Sequence, residues 1–126
     1  MTEKRILIRS GEIEMRAELN DSSTALALFT ALPLSARAAT WGDEIYFRVP
    51  VEGKLDATAA ELVEVGDLGY WPSGSAFCIF FGPTPISRKD EIRPASAVNL
   101  IGKVIGDARA FKAVHDGDLI ELDVAR

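Results

Sequence analysis

The sequence predicts a mainly β protein, a sandwich or closed barrel of about eight short strands with one or two short helices. Three observations carry this. Short segments alternate polar and apolar residues, the period of a strand with one buried face. Turn signals built on glycine, proline and aspartate separate those segments at short spacing. A 3.6-residue period stands out after Asn20, over a short stretch.

Residues 4–10 alternate and are rich in isoleucine and leucine, so they read as the first strand. Gly11 is a turn candidate. Residues 12–19 place Ile13, Met15, Ala17 and Leu19 on one face and Glu12, Glu14, Arg16 and Glu18 on the other. That is a half-buried strand and the second arm of a hairpin. Asn20-Asp21-Ser22-Ser23 offers side chains that accept from free helix amides. Ala25, Leu28, Phe29 and Leu32 then form the stripe of a short amphipathic helix, which Pro33 ends. In a small barrel such a helix would plug one open end.

Residues 35–41 and 44–49 read as two strands around Gly42-Asp43, and residues 50–60 as a loop. Residues 61–65 read as a strand leading into Gly66-Asp67. Residues 68–71 form a short strand closed by Pro72-Ser73-Gly74. The next strand is the most apolar of the chain: Ala76-Phe77-Cys78-Ile79-Phe80-Phe81. Phe77, Ile79 and Phe81 would fill a barrel interior, with Ala76, Cys78 and Phe80 pointing outward. Residues 83–95 hold three of the six prolines and form a long connection. Residues 98–105 are a strand, Asp107 caps a short helix through Val114, Asp116-Gly117-Asp118 is a turn, and residues 119–124 are the last strand.

With 126 residues the chain fits one domain spanning residues 1–126, long enough to bury roughly two-thirds of its unfolded surface. The net charge is −5, from 14 basic and 19 acidic residues, without the basic stripe that nucleic acid requires. Cys78 is the only cysteine, which excludes an intrachain disulfide and a cysteine metal cluster. The opening Met1-Thr2-Glu3 and the apolar burst after it are too short for a secretory signal, and no apolar run approaches the ~20 residues of a membrane helix. A cytoplasmic location is expected. The chain has no G-x-x-x-x-G-K-S/T or G-x-G-x-x-G run, so no phosphate cradle is indicated.

Two strands carry a resemblance. Gly74-Ser75-x-Phe77-x-Ile79 is similar to the glycine-serine-x-phenylalanine-x-isoleucine strand of cyclophilins. Val98-x-x-Ile101-Gly102-Lys103-Val104 resembles their later strand ending in glycine-lysine-valine. From about Ile6 to Leu122 the chain looks closer still to a small prokaryotic family of cyclophilin-like proteins, mostly of unknown function. The resemblance implies a closed cyclophilin-like β-barrel. It also raises prolyl isomerisation, in which an arginine donor polarises an amide whose rotation barrier is about 18–20 kcal/mol. Tyr46-Phe47-Arg48-Val49-Pro50 is similar to the strand bearing that arginine, one residue shorter, which makes Arg48 the tentative catalytic residue. The family's pocket phenylalanine falls on Cys78, its tryptophan near Arg93 and its histidine near Val98, and its glutamine has no clear match. Most of the proline grip is therefore replaced.

The expected site is a surface groove formed by Arg48, Ala76, Cys78 and Phe80, with no metal and no cofactor. Arg48 is either an isomerase donor, a residue binding a small anionic ligand, or an exposed strand arginine paired with a nearby carboxylate. Cys78 is either ligand-facing or a small buried apolar residue. Trp41 and Trp71 either wall a ligand groove or cap a barrel end. His115 lies between no serine elbow and no metal cluster, and its aspartate neighbours read as a turn. Pro83-Thr84-Pro85 either presents a rigid segment to a partner or orders a loop. The expected function is a module binding a peptide segment or small molecule. Alternatives are a weak or specialised prolyl isomerase using Arg48, and a scaffold that self-associates. Nucleic acid and membrane are not expected partners.

Overall fold

A computed structural model describes residues 4–125, so the opening Met1-Thr2-Glu3 lies outside the described residues. Ten antiparallel strands form one sheet. In chain order they are β1 (Lys4–Ser10), β2 (Ile13–Leu19), β3 (Leu34–Arg37), β4 (Ala39–Thr40), β5 (Glu44–Arg48), β6 (Ala59–Ala60), β7 (Asp67–Trp71), β8 (Ala76–Phe80), β9 (Val98–Ile105) and β10 (Leu119–Val124). The sheet runs β3-β10-β1-β2-β9-β7-β8-β5-β4, and β6 pairs with β9 off that path. One α-helix, α1 (Ser23–Ala31), follows β2, and a 3-10 helix (Ala108–Ala113) follows β9. No helix among the described residues is long and apolar enough to cross a membrane.

The first hairpin forms as its alternation demands, with Ile6 opposite Ala17 and Ile8 opposite Met15. Ser22 caps α1, its hydroxyl accepting from the Ala25 N–H at 3.2 Å. Asp107 caps the 3-10 helix by accepting from the Arg109 N–H at 3.0 Å. Leu28 of α1 and Phe111 of the 3-10 helix join the same inner core as Ile6, Ile45, Phe77 and Ile79. Phe47 faces Phe77 across β5 and β8, and their ring centroids lie 5.3 Å apart.

The strand count is ten against the expected about eight, and three local differences separate the two. Residues 35–41, read as one strand, divide at buried Ala38. Its N–H donates to the Asp118 carbonyl (2.8 Å) and its carbonyl accepts from the Gly117 N–H (2.7 Å), so its main chain serves a turn. β3 then pairs with β10 and β4 with β5. The terminal strands of the sheet are thus consecutive in the chain and meet at Ala38, although no ladder joins them. Inside the expected loop, Ala59 and Ala60 add the short β6 against Asn99 and Val98. Residues 61–65 are not a strand: Val63 alone makes a bridge, to Ile92.

Candidate functional site

The site grows from the outer face of β5. Ile45 and Phe47 enter the inner core, so the two-residue period turns Glu44, Tyr46 and Arg48 the other way. Register sets these three opposite Phe80, Cys78 and Ala76 of β8. Ala76 is in turn opposite Trp71 of β7. Directly paired residues share a face, so Arg48, Ala76 and Trp71 form one row across three strands.

Two loops cover much of this face. Val63 from one and Ile92 from the other pack with Ala76, Cys78, Phe80 and Val98 as a second apolar cluster. The Val63 N–H donates to the Ile92 carbonyl at 3.0 Å and pins the loops together. The second loop is braced from within. The Ser87 hydroxyl accepts from the Thr84 and Arg93 N–H groups, each at 2.9 Å. Pro83 offers its carbonyl to the Asp43 N–H at 2.9 Å, so Pro83-Thr84-Pro85 orders this loop against the β4–β5 turn.

Beside the covered cluster the face opens into a pocket of about 290 Å³. Trp41, Tyr46 and Trp71 wall it, with Pro94, Ala95 and Val98 on the loop and β9 side and Glu44 in its lining. Gly42 makes this possible. Its φ is +60°, and a Cβ there would lie 2.8 Å from the Pro83 carbonyl. The tight turn lets the Trp41 N–H reach the Glu44 carbonyl at 2.9 Å and brings both side chains into the pocket lining. Trp71 is held from the far side, its indole N–H donating to the Ser96 hydroxyl at 2.6 Å. Both tryptophans of the chain therefore line one cavity.

Glu44 is the electrostatic anomaly of the site. It is only 6% exposed and forms no ion pair among the described residues. Burial pushes its carboxyl up to about 7, and the neighbouring Cys78 thiol, which donates to the Ala76 carbonyl at 3.8 Å, opposes the rise. The same burial, with the Glu44 charge nearby, holds the Cys78 thiol well above the usual thiol range. Glu44 thus changes charge near neutrality while Cys78 stays a protonated donor. Nearby charges are engaged elsewhere: the Asp43 carboxylate lies 3.8 Å from the Lys112 ammonium, and Arg93 pairs with Glu91 at 2.7 Å.

The four residues expected in the groove do share the outer face, at unequal depth. Arg48 is exposed and makes no hydrogen bond or ion pair among the described residues. Ala76, Cys78 and Phe80 are buried beneath the loops, so they form a packed layer rather than an open floor. The opening lies instead over Glu44 and Tyr46, and Trp41 and Trp71 wall it rather than capping a barrel end. Glu44 and Tyr46 were legible in principle, since alternation with Ile45 and Phe47 sets them on the Cys78 face. The contribution of Pro94 and Ala95 carries no sequence signal, because loop folding brings them there. His115 is exposed, and its neighbours Asp116 and Asp118 accept from the Thr40 and His115 N–H groups as turn residues do.

Comparison with known proteins agrees with this architecture. The family described as cyclophilin-like matches residues 4–123. The solution structure of the hypothetical protein AF2241 from Archaeoglobus fulgidus is similar, with 42% sequence identity and a TM-score of 0.83. The match covers 98% of this chain and 95% of that one. No curated protein matches the chain.

Proposed function

The chain belongs to the cyclophilin-like family, and from that premise we propose that it is a binding module whose ligand enters the Trp41–Tyr46–Trp71 pocket. The observation that carries this is one cavity combining three aromatic walls with a buried carboxyl. Ligand sites pair apolar walls with few polar groups in this way. The cavity lies just below the usual size range of about 300–1,000 Å³, so it suits a small molecule or one residue of a peptide. The sheet serves as its rigid frame, a barrel closed through chain continuity at Ala38. A library of small organic fragments, screened by tryptophan emission and thermal shift together, tests the reading. Binders should change both signals, because a ligand of the folded state raises apparent stability. A library that leaves both signals unchanged would contradict it.

A second reading has its own support: Arg48 is exposed, makes no ion pair among the described residues, and lies in one row with Trp71. A proline gripped between Trp71 and Tyr46 would lie near a guanidinium free to polarise its amide, the donor that isomerisation needs. A protease-coupled proline-peptide assay on the wild type and Arg48→Ala decides it. Isomerisation predicts acceleration by the wild type that the variant loses. Rates at the uncatalysed level for both proteins would end this reading and leave the binding module standing.

A further inference from the structure

The pocket has a definite charge preference built into it. Of the side chains that line it, Glu44 and Tyr46 are titratable, and neither meets a cation. The loop contributes Pro94 and Ala95, β9 contributes Val98, and β7 contributes Trp71, none of which carries charge. From β8 the titratable neighbour of Glu44 is Cys78, which stays a thiol. The basic groups on the segments adjoining the pocket are committed or displaced. Arg93 is bound to Glu91, Lys112 lies by Asp43, and Arg48 lies outside the lining. A carboxylate buried without a counter-charge is costly, and a thiol is a weak donor to it. The faces of tryptophan and tyrosine rings are negative and attract cations. Carboxylate and aromatic walls therefore select for the same ligand chemistry.

We infer that the pocket takes an organic cation, a protonated or quaternary ammonium group, with Glu44 as its counter-charge and Trp41, Tyr46 and Trp71 as its walls. This rests on the pocket-binding reading and narrows it to one ligand class. Positive charge in the pocket favours the Glu44 carboxylate, so binding below neutral pH expels its proton. Binding of a permanently charged cation then strengthens as pH rises toward and past 7. The opposite ligand, a carboxylate hydrogen-bonded to protonated Glu44, would weaken over the same range.

Three probes of one shape separate the cases: choline, its neutral carbon counterpart 3,3-dimethylbutan-1-ol, and the anion 3,3-dimethylbutanoate. Choline has a permanent charge, so any pH dependence between 5.5 and 8.5 reports the protein rather than the ammonium. Tryptophan emission is the readout, because both tryptophans line the cavity. At pH 8.5 choline should bind about tenfold tighter than the alcohol. Its affinity should fall by up to about thirtyfold at pH 5.5, following the carboxylate fraction of a group that titrates near 7. Glu44→Gln keeps the shape and the aromatic walls, and should reduce the choline preference and abolish its pH dependence. An alcohol that binds as well as choline, or a butanoate that binds best, overturns the inference and leaves the binding pocket intact. A choline preference that is flat with pH, or is undiminished in Glu44→Gln, overturns the role of Glu44. No emission change with any probe, together with a silent fragment library, overturns the inference and the pocket reading alike.

Discussion

Glu44 carries the clearest consequence at the scale of single residues. Its folded-state pKa of about 7 lies above the ordinary carboxyl value of 4.5, so the folded protein holds a proton that the unfolded chain releases. Folding is then favoured most by low pH: stability falls as pH rises from about 4.5 to about 7 and levels off above. The penalty at pH 8 is about 3 kcal/mol. In denaturant unfolding Glu44→Gln should be the more stable protein, by a margin that vanishes at low pH and grows as pH rises through this window. A constant difference would mean the carboxyl is not desolvated. Asn99 is the second residue to test, fully buried on β9. Its amide accepts from the Asp56 N–H at 2.9 Å and donates to the Lys54 carbonyl at 2.8 Å, fixing the loop that leads to Val63. Asn99→Ala strands both backbone groups and should cost about 2–3 kcal/mol in denaturant unfolding. A loss below about 0.5 kcal/mol would show that water replaces the clamp.

At the scale of elements, β8 shows what alternation can and cannot tell. Its period correctly sends Phe77 and Ile79 to the inner core and Ala76, Cys78 and Phe80 to the other face. The face opposite the core was read as open because nothing local to the strand says that two loops cover it. That cover comes from Val63 and Ile92, 29 residues apart, joined by one bridge. Long-range closure of this kind leaves no periodic trace in either segment. Strand β9 was legible over its full length, Val98–Ile105, because its turns and its apolar residues are contiguous. The division of residues 35–41 was not, because it depends on Ala38 bonding to a turn almost eighty residues later. Gly102 tests the β2–β9 junction. A Cβ there would clash with the Glu18 carbonyl oxygen, a backbone atom that cannot swing aside. Gly102→Ala should therefore cost about 2–3 kcal/mol by forcing the strands apart, read as a lowered denaturant midpoint. An unchanged midpoint would show that the junction has slack.

For the whole molecule, the sheet does two separate jobs on its two faces. The inner face, with Leu28 of α1 and Phe111 of the 3-10 helix, makes the core. The outer face of β5, β7 and β8 makes a half-covered platform where loops leave one aromatic opening. The family resemblance was readable from the strands that build the frame, and the match to residues 4–123 bears it out. Of the residues expected to form a groove, Ala76, Cys78 and Phe80 lie buried beneath loops, and the opening on that face lies over Glu44 and Trp41, because cover depends on loops rather than strands. If ligands bind in the one pocket walled by both tryptophans, the ¹H–¹⁵N spectrum of the two indole N–H groups during titration with choline at pH 8.5 must report it. The Trp41 and Trp71 indole signals should move together and saturate at one common concentration. Indole signals that stay fixed throughout the titration, or a saturable response confined to backbone signals far from both tryptophans, would contradict it.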